Sequence, residues 1–278
     1  MRTVQMELLR PEELLAERER LSLEYMPIGP VEWHSYHMPM GTDALIAQET
    51  ARRLAGKTGG VVAPTLFVGT ETNARPEVLD NLNVPHDGDS YIVGMDFPAN
   101  TVPSLYYREE VFAAVAREEL RLLAKMGYRM IVVINAHGAH GQVDTLRRLC
   151  DEVSHEHGVH CVYPRFEGRR VGEIIRREKL DPGHAERLET AMMMAVTDSV
   201  DLGRLPARNI PLHSADFGFA SGSQFTGRAP KDGVVPDDPR DATAALGEAV
   251  LAADVEDTAE YVLKLYRELV EKQPSENR

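Results

Sequence analysis

A group of potential metal ligands lies between residues 32 and 43 of the chain. Glu32, His34, His37 and Asp43 bring carboxylate oxygens and imidazole nitrogens together within this short stretch. Hard oxygen donors mixed with imidazole nitrogens suit Zn²⁺, Mn²⁺ or Fe²⁺ better than Ca²⁺. The residue types and their spacing therefore predict a metal site, and the alternative is a polar loop that carries two surface histidines.

The neighbouring residues predict that this group stands at the edge of a sheet. Residues 23–29 form a short apolar run that ends at glycine, which is typical of a buried strand. Asp43 precedes an apolar pattern of helical period, so we expect it at the start of a helix. Open α/β sheets bind their ligands where a strand ends and the next helix begins.

A second pair of histidines follows another predicted strand. Residues 129–134 are apolar and β-branched, as in a central parallel strand, and His137 and His140 come directly after them. The small residues between the two histidines allow the backbone to approach a ligand closely. A turn of this kind can also hold a phosphate, but no dinucleotide-binding glycine pattern or P-loop lysine accompanies it. We therefore exclude a nucleotide site.

A third pair, His184 and Glu189, flanks the start of the helix predicted over residues 187–198. Both side chains could point into one cavity. Alternatively, Glu189 stabilises the N-terminus of the helix through its dipole, and His184 is an ordinary loop residue.

The composition limits the class of protein. A chain of 278 residues with 43% hydrophobic residues can form one large domain, which we expect to span residues 1–278 with a core over about 23–270. The net charge of −13 argues against nucleic acid or an anionic membrane as a partner. The sequence shows no membrane span and no secretory signal, and its two cysteines are too few for a disulfide framework. We expect a cytoplasmic protein.

Predicted strands alternate with predicted helices along the chain. This order implies parallel strands joined by right-handed crossovers, hence an α/β fold in the form of a three-layer α/β/α sandwich with a mostly parallel sheet. Two irregular stretches, 69–105 and 205–240, are longer than plain connectors, and we expect them to cover the site or to make subunit contacts. The predicted strands are 23–29, 61–68, 129–134 and 159–163, and the predicted helices are 11–19, 43–56, 106–126, 142–157, 170–178, 187–198 and one at the C-terminus.

The three groups together resemble the creatininase family of metal-dependent amidohydrolases. The family pattern Glu-x-His-Gly-Pro-His-Leu-Pro-Leu-Gly-Thr-Asp is matched by residues 32–43, with Ser35 and Tyr36 in place of Gly-Pro. Its Asn-Gly-His-Gly-Gly-Asn element is similar to residues 135–140, and its His-Ala-Gly-x-x-Glu-Thr-Ser element to residues 184–191. The resemblance covers nearly the whole chain.

The resemblance implies two divalent ions in each subunit, with Zn²⁺ the first expectation and Mn²⁺ or Fe²⁺ as alternatives, and Asp43 bridging them. Creatininase has a further glutamate ligand two residues after the histidine of the second element. Ala139 occupies that position here, so we assign the role to Glu189; a one-metal site is the alternative. The metal ligands implied are Glu32, His34, Asp43, His137 and Glu189.

The resemblance also suggests roles beyond metal binding. We expect His184 to act as the acid or oxyanion donor, since a histidine titrates near neutral pH, and we also count Glu189 among the catalytic residues. The side chains that flank the ligands are the candidates for substrate binding, namely Trp33, Tyr36, His37 and His140.

The predicted activity is hydrolysis of an amide C–N bond in a small cyclic or formylated substrate by metal-activated water. A first alternative is the hydrolytic opening of a cyclic keto-polyol, such as the substrate of a related hydrolase in inositol breakdown, with carbon as the leaving atom. A second alternative is a non-catalytic metal-binding assembly module. By resemblance to the family we expect a homo-oligomer, a hexamer, with a small molecule as the substrate.

Overall fold

A central parallel sheet forms the middle layer of the protein in the computed structural model. The structure describes residues 3–71, 93–96, 100, 102–164, 168–215, 218–220 and 237–272. The strands are β1 (Leu23–Ile28), β2 (Val61–Val62), β3 (Met130–Asn135) and β4 (His160–Val162). They are hydrogen-bonded in the order β2-β1-β3-β4, and every pair is parallel, with Met26 opposite Val133.

Helices cover both faces of this sheet, which confirms the predicted α/β/α sandwich. On one face Met26, Ile28 and Val133 pack against apolar residues of α3 (Glu109–Lys125) and α4 (His140–His157). On the other face Leu23, Tyr25 and Val132 pack against α2 (Thr42–Thr58) and α7 (Ala244–Lys272). The further helices are α1 (Pro11–Arg20), α5 (Arg169–Glu178) and α6 (Arg187–Val196). Among the described residues, no helix combines the length and the apolar character needed to cross a membrane.

Two predicted elements differ most from the structure, and both are shorter. The strand predicted over 61–68 ends at Val62 and continues only as a single bridge between Leu66 and Ile28, because Pro64 has no N–H to donate to a ladder. The helix predicted from residue 106 begins at Glu109 instead. The backbone N–H of Tyr107 donates to the Gly69 carbonyl at 2.8 Å, which holds this segment out of the helix.

The irregular stretches lie mostly outside the described residues. Within 205–240, strands β5 (His213–Ala215) and β6 (Gly218–Ala220) form a separate antiparallel pair. Within 69–105, residues 69–71, 93–96, 100 and 102–105 are described, and Leu105 N–H donates to the Val31 carbonyl at 2.7 Å. The stretch 102–107 therefore runs beside the end of β1, where the first group of predicted ligands begins.

Candidate metal centre

The predicted ligands converge at the carboxyl ends of β1 and β3. Glu32 and His34 follow β1, Asp43 lies in the first turn of α2, and His137 follows β3. The end of β1 passes so close to the start of α2 that a Cβ at Gly29 would lie 2.7 Å from the Ala44 nitrogen. Only glycine allows this approach, which brings Asp43 beside the residues that follow β1.

His34 is fully buried and presents one ring nitrogen to carboxylates. Its Nδ1 lies 3.0 Å from the Glu32 carbonyl oxygen and donates to it. The opposite nitrogen, Nε2, lies 3.5 Å from Asp43 Oδ1 and 3.4 Å from Glu189 Oε1. The backbone contact therefore fixes the tautomer and leaves the Nε2 lone pair directed at two carboxylates, as in a ligating histidine.

His137 is held in the same way from the other side. Its Nδ1 lies 3.1 Å from Glu32 Oε2 and 3.4 Å from Asp43 Oδ2. Its Nε2 lies 3.2 Å from the Thr70 carbonyl oxygen and 3.4 Å from Glu71 Oε2, both of which can accept its proton. A carbonyl or carboxylate behind the ring is the usual support of a metal-binding imidazole.

Asp43 stands between the two imidazoles. Its Oδ1 faces His34 and its Oδ2 faces His137, so each oxygen has its own nitrogen partner. A carboxylate that directs two oxygens to two separate donor groups has the geometry required to bridge two cations.

The ligand atoms themselves fit a metal. Glu32 Oε2, His34 Nε2 and Asp43 Oδ2 are buried and have no hydrogen-bond partner among the described residues. A buried polar atom without a partner destabilises a protein by about 1–3 kcal/mol, so three together call for an occupant. Carboxylate oxygen and imidazole nitrogen are the donors that Zn²⁺ and Mn²⁺ accept. The groups whose ligand atoms lie within 4.8 Å of one another are Glu32–His34–His184, Glu32–Glu71–His137 and His34–Asp43–Glu189.

The pKa shifts of the clustered side chains also fit a metal site. Burial alone would lower the pKa of His34, but the charges of Glu189 and Asp43 outweigh burial and raise it well above its usual value. Burial would likewise lower the pKa of His137, and Glu32 and Asp43 raise it instead. Burial favours a neutral Asp43, yet the two imidazoles hold its pKa well below the ordinary range. This cluster of carboxylates therefore requires positive charge between its members.

The contacts of Glu189 are compatible with both of the roles considered from the sequence. Its Oε2 accepts the backbone N–H of Ala185 at 2.6 Å, next to the start of α6. Its Oε1 faces His34 Nε2, and the carboxylate falls in one ligand group with His34 and Asp43. Ala139, at the position of the glutamate in creatininase, precedes the first residue of α4. The structure thus brings Glu189 to the side of the centre where a further carboxylate was expected.

His184 lies directly against this centre. Its Nε2 is 2.6 Å from the Trp33 carbonyl oxygen, and its ring lies 4.2 Å from the His34 ring, measured between centroids. The Trp33 carbonyl accepts the Nε2 proton, so Nδ1 faces inward, 3.9 Å from Glu32 Oε1. A histidine placed in this way can exchange a proton with a group bound beside the ligands.

The four predicted substrate-binding residues lie at different depths. Trp33 is 3% exposed and packs edge-on against Tyr36, with 5.8 Å between ring centroids. His37 is buried beside Thr190, whose hydroxyl lies 2.9 Å from His37 Nε2, and burial lowers the pKa of His37 to about 4. His140, at the start of α4, is exposed and lines the cavity described below. Whether any of these four contacts substrate remains a prediction.

His37 was also one of the four potential ligands in the first group. In the described part of the chain it belongs to none of the groups of close ligand atoms. The turn between His34 and Pro39 directs its ring to Thr190 on α6 rather than to Asp43.

Two residues near the ligands were not predicted from the sequence. The Tyr106 hydroxyl donates to Glu32 Oε1 at 2.5 Å, and its ring stacks on His137 with 6.4 Å between centroids. Glu71 reaches the outer nitrogen of His137. Glu71 belongs to the stretch 69–105, whose sequence has no periodic pattern, and Tyr106 is the first residue of the helix predicted over 106–126. The available signal was the position of Glu71, shortly after an apolar run.

The backbone is strained next to two of the histidines. Ser35 has φ of 60° and Ala185 has φ of 55°, in the left-handed region that favours glycine. Each directly follows a histidine of the centre, His34 or His184. Left-handed backbone at a residue with a side chain is concentrated at functional sites, where the surrounding structure holds it in place.

A cavity of about 890 Å³ opens beside the ligands. Its walls come from α2, the end of β3, the start of α4, α6 and α7, and Glu32, Asp43, His137, His184 and Glu189 line it. This volume lies in the upper part of the range for small-molecule sites. The candidate ligands therefore border a space that can receive a substrate.

Comparison with known proteins identifies the family. The family model described as creatininase, creatinine amidohydrolase, matches residues 7–262. The chain belongs to the creatininase family. No curated protein sequence matches it.

Solved creatininase structures share the fold. A crystal structure of creatinine amidohydrolase is 22% identical, covers 96% of this chain and 99% of its own, and has a TM-score of 0.69. A structure described as creatininase Mn is also 22% identical, with coverages of 95% and 99% and a TM-score of 0.68. A mutant creatininase of Zn-Zn type is 21% identical, with coverages of 95% and 98% and a TM-score of 0.67.

Proposed function

We propose that the protein is a hydrolase that uses two divalent ions to cleave an amide C–N bond in a small cyclic substrate. The observation that carries this proposal is the orientation of Asp43, which turns one oxygen to His34 and the other to His137. Membership of the creatininase family supports amide hydrolysis, and structures of similar fold are described as manganese and zinc forms.

Each ion would have its own set of ligands. His34 and Glu189 would hold one ion and Glu32 and His137 the other, with Asp43 shared between them. Two ions at this place supply a nucleophile from water at neutral pH and polarise the scissile carbonyl.

The other residues orient the ligands and manage protons. Thr70 and Glu71 accept the outer proton of His137, and Tyr106 donates to the outer oxygen of Glu32, so that the inner atoms face the centre. His184 presents Nδ1 on the same side, where it can take a proton from the attacking water and pass it to the departing nitrogen. Glu32, His34 and Asp43 are buried, and charges interact more strongly away from water.

The test is a metal-dependent hydrolysis screen. Protein freed of metal with a chelator and reloaded with Zn²⁺ or Mn²⁺ is offered cyclic amides, formamides and cyclic ketones, and the products are analysed by mass spectrometry. We expect the reloaded protein to open a cyclic amide or release formate, while the metal-free protein is inactive. Ring opening confined to ketones would support a C–C hydrolase instead, and no turnover of any class would support a binding module.

A matched pair of histidine variants examines His184. We expect His184→Gln to lower kcat by about 10²–10⁴-fold, the usual contribution of a positioned acid or base, while the metal content stays at the wild-type level. His157→Gln changes an exposed histidine at the end of α4 and should leave turnover unchanged. Wild-type kcat in His184→Gln would remove this residue from the mechanism.

A further inference from the structure

A second polar group lines the cavity away from the candidate ligands. Asp254 and Thr258, one turn apart on α7, are each 7% exposed, and Thr50 on α2 is 5% exposed. All three belong to the wall of the cavity, together with apolar Ile46 and Met192. This group therefore lies where substrate could reach it.

The fold itself makes little use of the Asp254 carboxyl. Among the described residues, the Thr258 hydroxyl donates a hydrogen bond to Asp254 at 3.4 Å, and Asp254 forms no ion pair. Burial raises the pKa of Asp254 to about 7. Asp257, one turn further along α7, binds Arg170 at 2.6 Å and accepts backbone N–H groups at the start of α5. The two aspartates thus differ: Asp257 fastens α5, whereas Asp254 is a buried acid without such a partner.

A buried carboxyl without a cationic partner destabilises a fold, and apolar side chains in such a place are often more stable. Buried acids of this kind that face a cleft are candidates for functional groups. Because Asp254 borders the cavity, a bound molecule could donate further hydrogen bonds to it.

We propose that Asp254, Thr50 and Thr258 form a subsite that binds a hydrogen-bond-donating group, a hydroxyl or an ammonium, on the part of the substrate remote from the scissile bond. The inference rests on the proposed hydrolase function, since it assigns the second end of the same substrate. Carboxylate and hydroxyl oxygens accept hydrogen bonds, and the apolar neighbours Ile46 and Met192 exclude water that would compete. Once the Asp254 carboxyl is ionised, an anionic substituent would be repelled there.

The geometry of α2 sets the length of such a substrate. Asp43, Ile46, Ala47 and Thr50 all line the cavity and repeat at the spacing of one helical face. Seven residues of helix between Asp43 and Thr50 correspond to a rise of about 10 Å. The donor group should therefore lie about 10 Å from the scissile amide, further than a single small ring extends.

The experiment uses metal-loaded protein and a series of δ-lactams that carry an alkyl arm ending in methyl, hydroxyl, ammonium or carboxylate. Dissociation constants are measured by calorimetry for the wild type, Asp254→Asn, Asp254→Leu and the control Asp151→Asn, an exposed aspartate on α4. We expect the wild type and the control to bind a hydroxyl or ammonium arm about 10-fold more tightly than the methyl arm. Asp254→Leu should abolish this preference.

The two Asp254 variants distinguish a hydroxyl donor from an ammonium donor, and both from a purely structural role of Asp254. If the donor is a hydroxyl, Asp254→Asn keeps part of the preference because the amide oxygen still accepts; if it is an ammonium, Asp254→Asn loses it. Metal content should stay at the wild-type level in both variants, and neither should lower the Tm. A wild type that binds all four arms equally, or does not bind them, overturns the proposal. So does an unchanged preference in Asp254→Leu, or a fall in Tm or metal content in Asp254→Asn.

Binding of the lactams and their hydrolysis are measured separately. Preferential binding of the hydroxyl or ammonium arm without hydrolysis of any lactam would leave the subsite standing and contradict the proposed hydrolase function. Hydrolysis of lactams with no preference among the arms would leave the hydrolase function standing and contradict the subsite.

Discussion

The Tyr106 hydroxyl lies 2.5 Å from Glu32 Oε1 and donates a hydrogen bond to it. The other oxygen of the same carboxylate, Oε2, lies 3.1 Å from His137 Nδ1. Tyr106 therefore fixes the rotation of Glu32 so that Oε2 is directed at the centre. Hydrogen bonds of this kind hold a metal ligand in the orientation that binding requires.

Removing this hydroxyl should weaken metal binding. We expect Tyr106→Phe to reduce the affinity for Zn²⁺ by about 10–100-fold, because Glu32 is then free to rotate. The matched control is Tyr107→Phe, since the neighbouring tyrosine is 40% exposed. Competition with a fluorescent chelator measures both affinities. Equal affinity in the wild type and Tyr106→Phe would show that Tyr106 does not position Glu32.

The left-handed backbone at Ser35 predicts a stabilising substitution. A residue with a side chain at φ of 60° is strained by about 1–2 kcal/mol, whereas glycine is not. Ser35 is buried, and its hydroxyl lacks a hydrogen-bond partner in the described part of the chain, so its loss removes no bond there. We expect Ser35→Gly to increase the free energy of unfolding by about 1 kcal/mol after the greater entropy of the unfolded chain is subtracted.

Denaturant unfolding of metal-free protein measures this difference. Ser199→Gly is the control, because Ser199 is exposed and its φ is not in the left-handed region. It should lower the free energy of unfolding by about 0.4–1 kcal/mol. A comparable loss in Ser35→Gly would contradict the argument from strain.

Glu24 predicts a pH-dependent change in stability far from the metal centre. Its carboxylate is fully buried in β1, and neither oxygen has a hydrogen-bond partner among the described residues. Burial, reinforced by the charge of Glu119, raises the pKa of Glu24 well above its usual value. The folded state thus holds a proton that the unfolded state releases, so stability is full below the unfolded pKa and falls as the pH rises.

Glu24→Gln should remove this dependence. The gain in unfolding free energy over the wild type should be near zero at about pH 4 and grow by about 1.4 kcal/mol per pH unit until the folded pKa is reached. Glu12→Gln, on the exposed face of α1, should show no such trend. Parallel stability curves for Glu24→Gln and the wild type across pH 4–8 would contradict the prediction.

Exposed apolar side chains predict self-association. Phe67, Val102, Leu105 and Tyr107 are 42%, 48%, 57% and 40% exposed, and the Tyr107–Gly69 hydrogen bond joins their two segments. Large exposed apolar side chains on adjoining segments are typical of an interaction site. We expect light scattering to give a multiple of the 30.9 kDa chain mass and Leu105→Arg to reduce it.

Leu8 offers a control for this test, because it is a leucine that is 53% exposed elsewhere on the surface. Leu8→Arg should retain the assembly. A wild-type mass near 30.9 kDa would show that the protein is a monomer.

The sequence predicted the parts of the centre that follow regular elements. Glu32, Asp43 and His137 come directly after apolar strands or at the start of a periodic helix, and the edge of a parallel sheet brings such positions together. Glu189 was placed by resemblance to the family, and its position in the structure is consistent with that placement.

The remaining features depend on loop directions that local sequence does not determine. Tyr106 is the first residue of the helix predicted over 106–126, but long-range hydrogen bonds from Leu105 and Tyr107 hold the chain extended there. His37 is close to His34 in the chain, yet the intervening turn directs its ring to Thr190. Tertiary contacts decided both cases.

The central claim is that Asp43 is a ligand of both ions, and the number of ions bound per chain tests it most directly. Purified wild-type protein, Asp43→Ala and Glu189→Gln are dialysed against a fixed low concentration of Zn²⁺ and analysed by plasma mass spectrometry. If Asp43 holds both ions, the wild type retains two per chain, Asp43→Ala loses both, and Glu189→Gln keeps the one beside Glu32 and His137. Two tightly bound ions in Asp43→Ala would contradict the account.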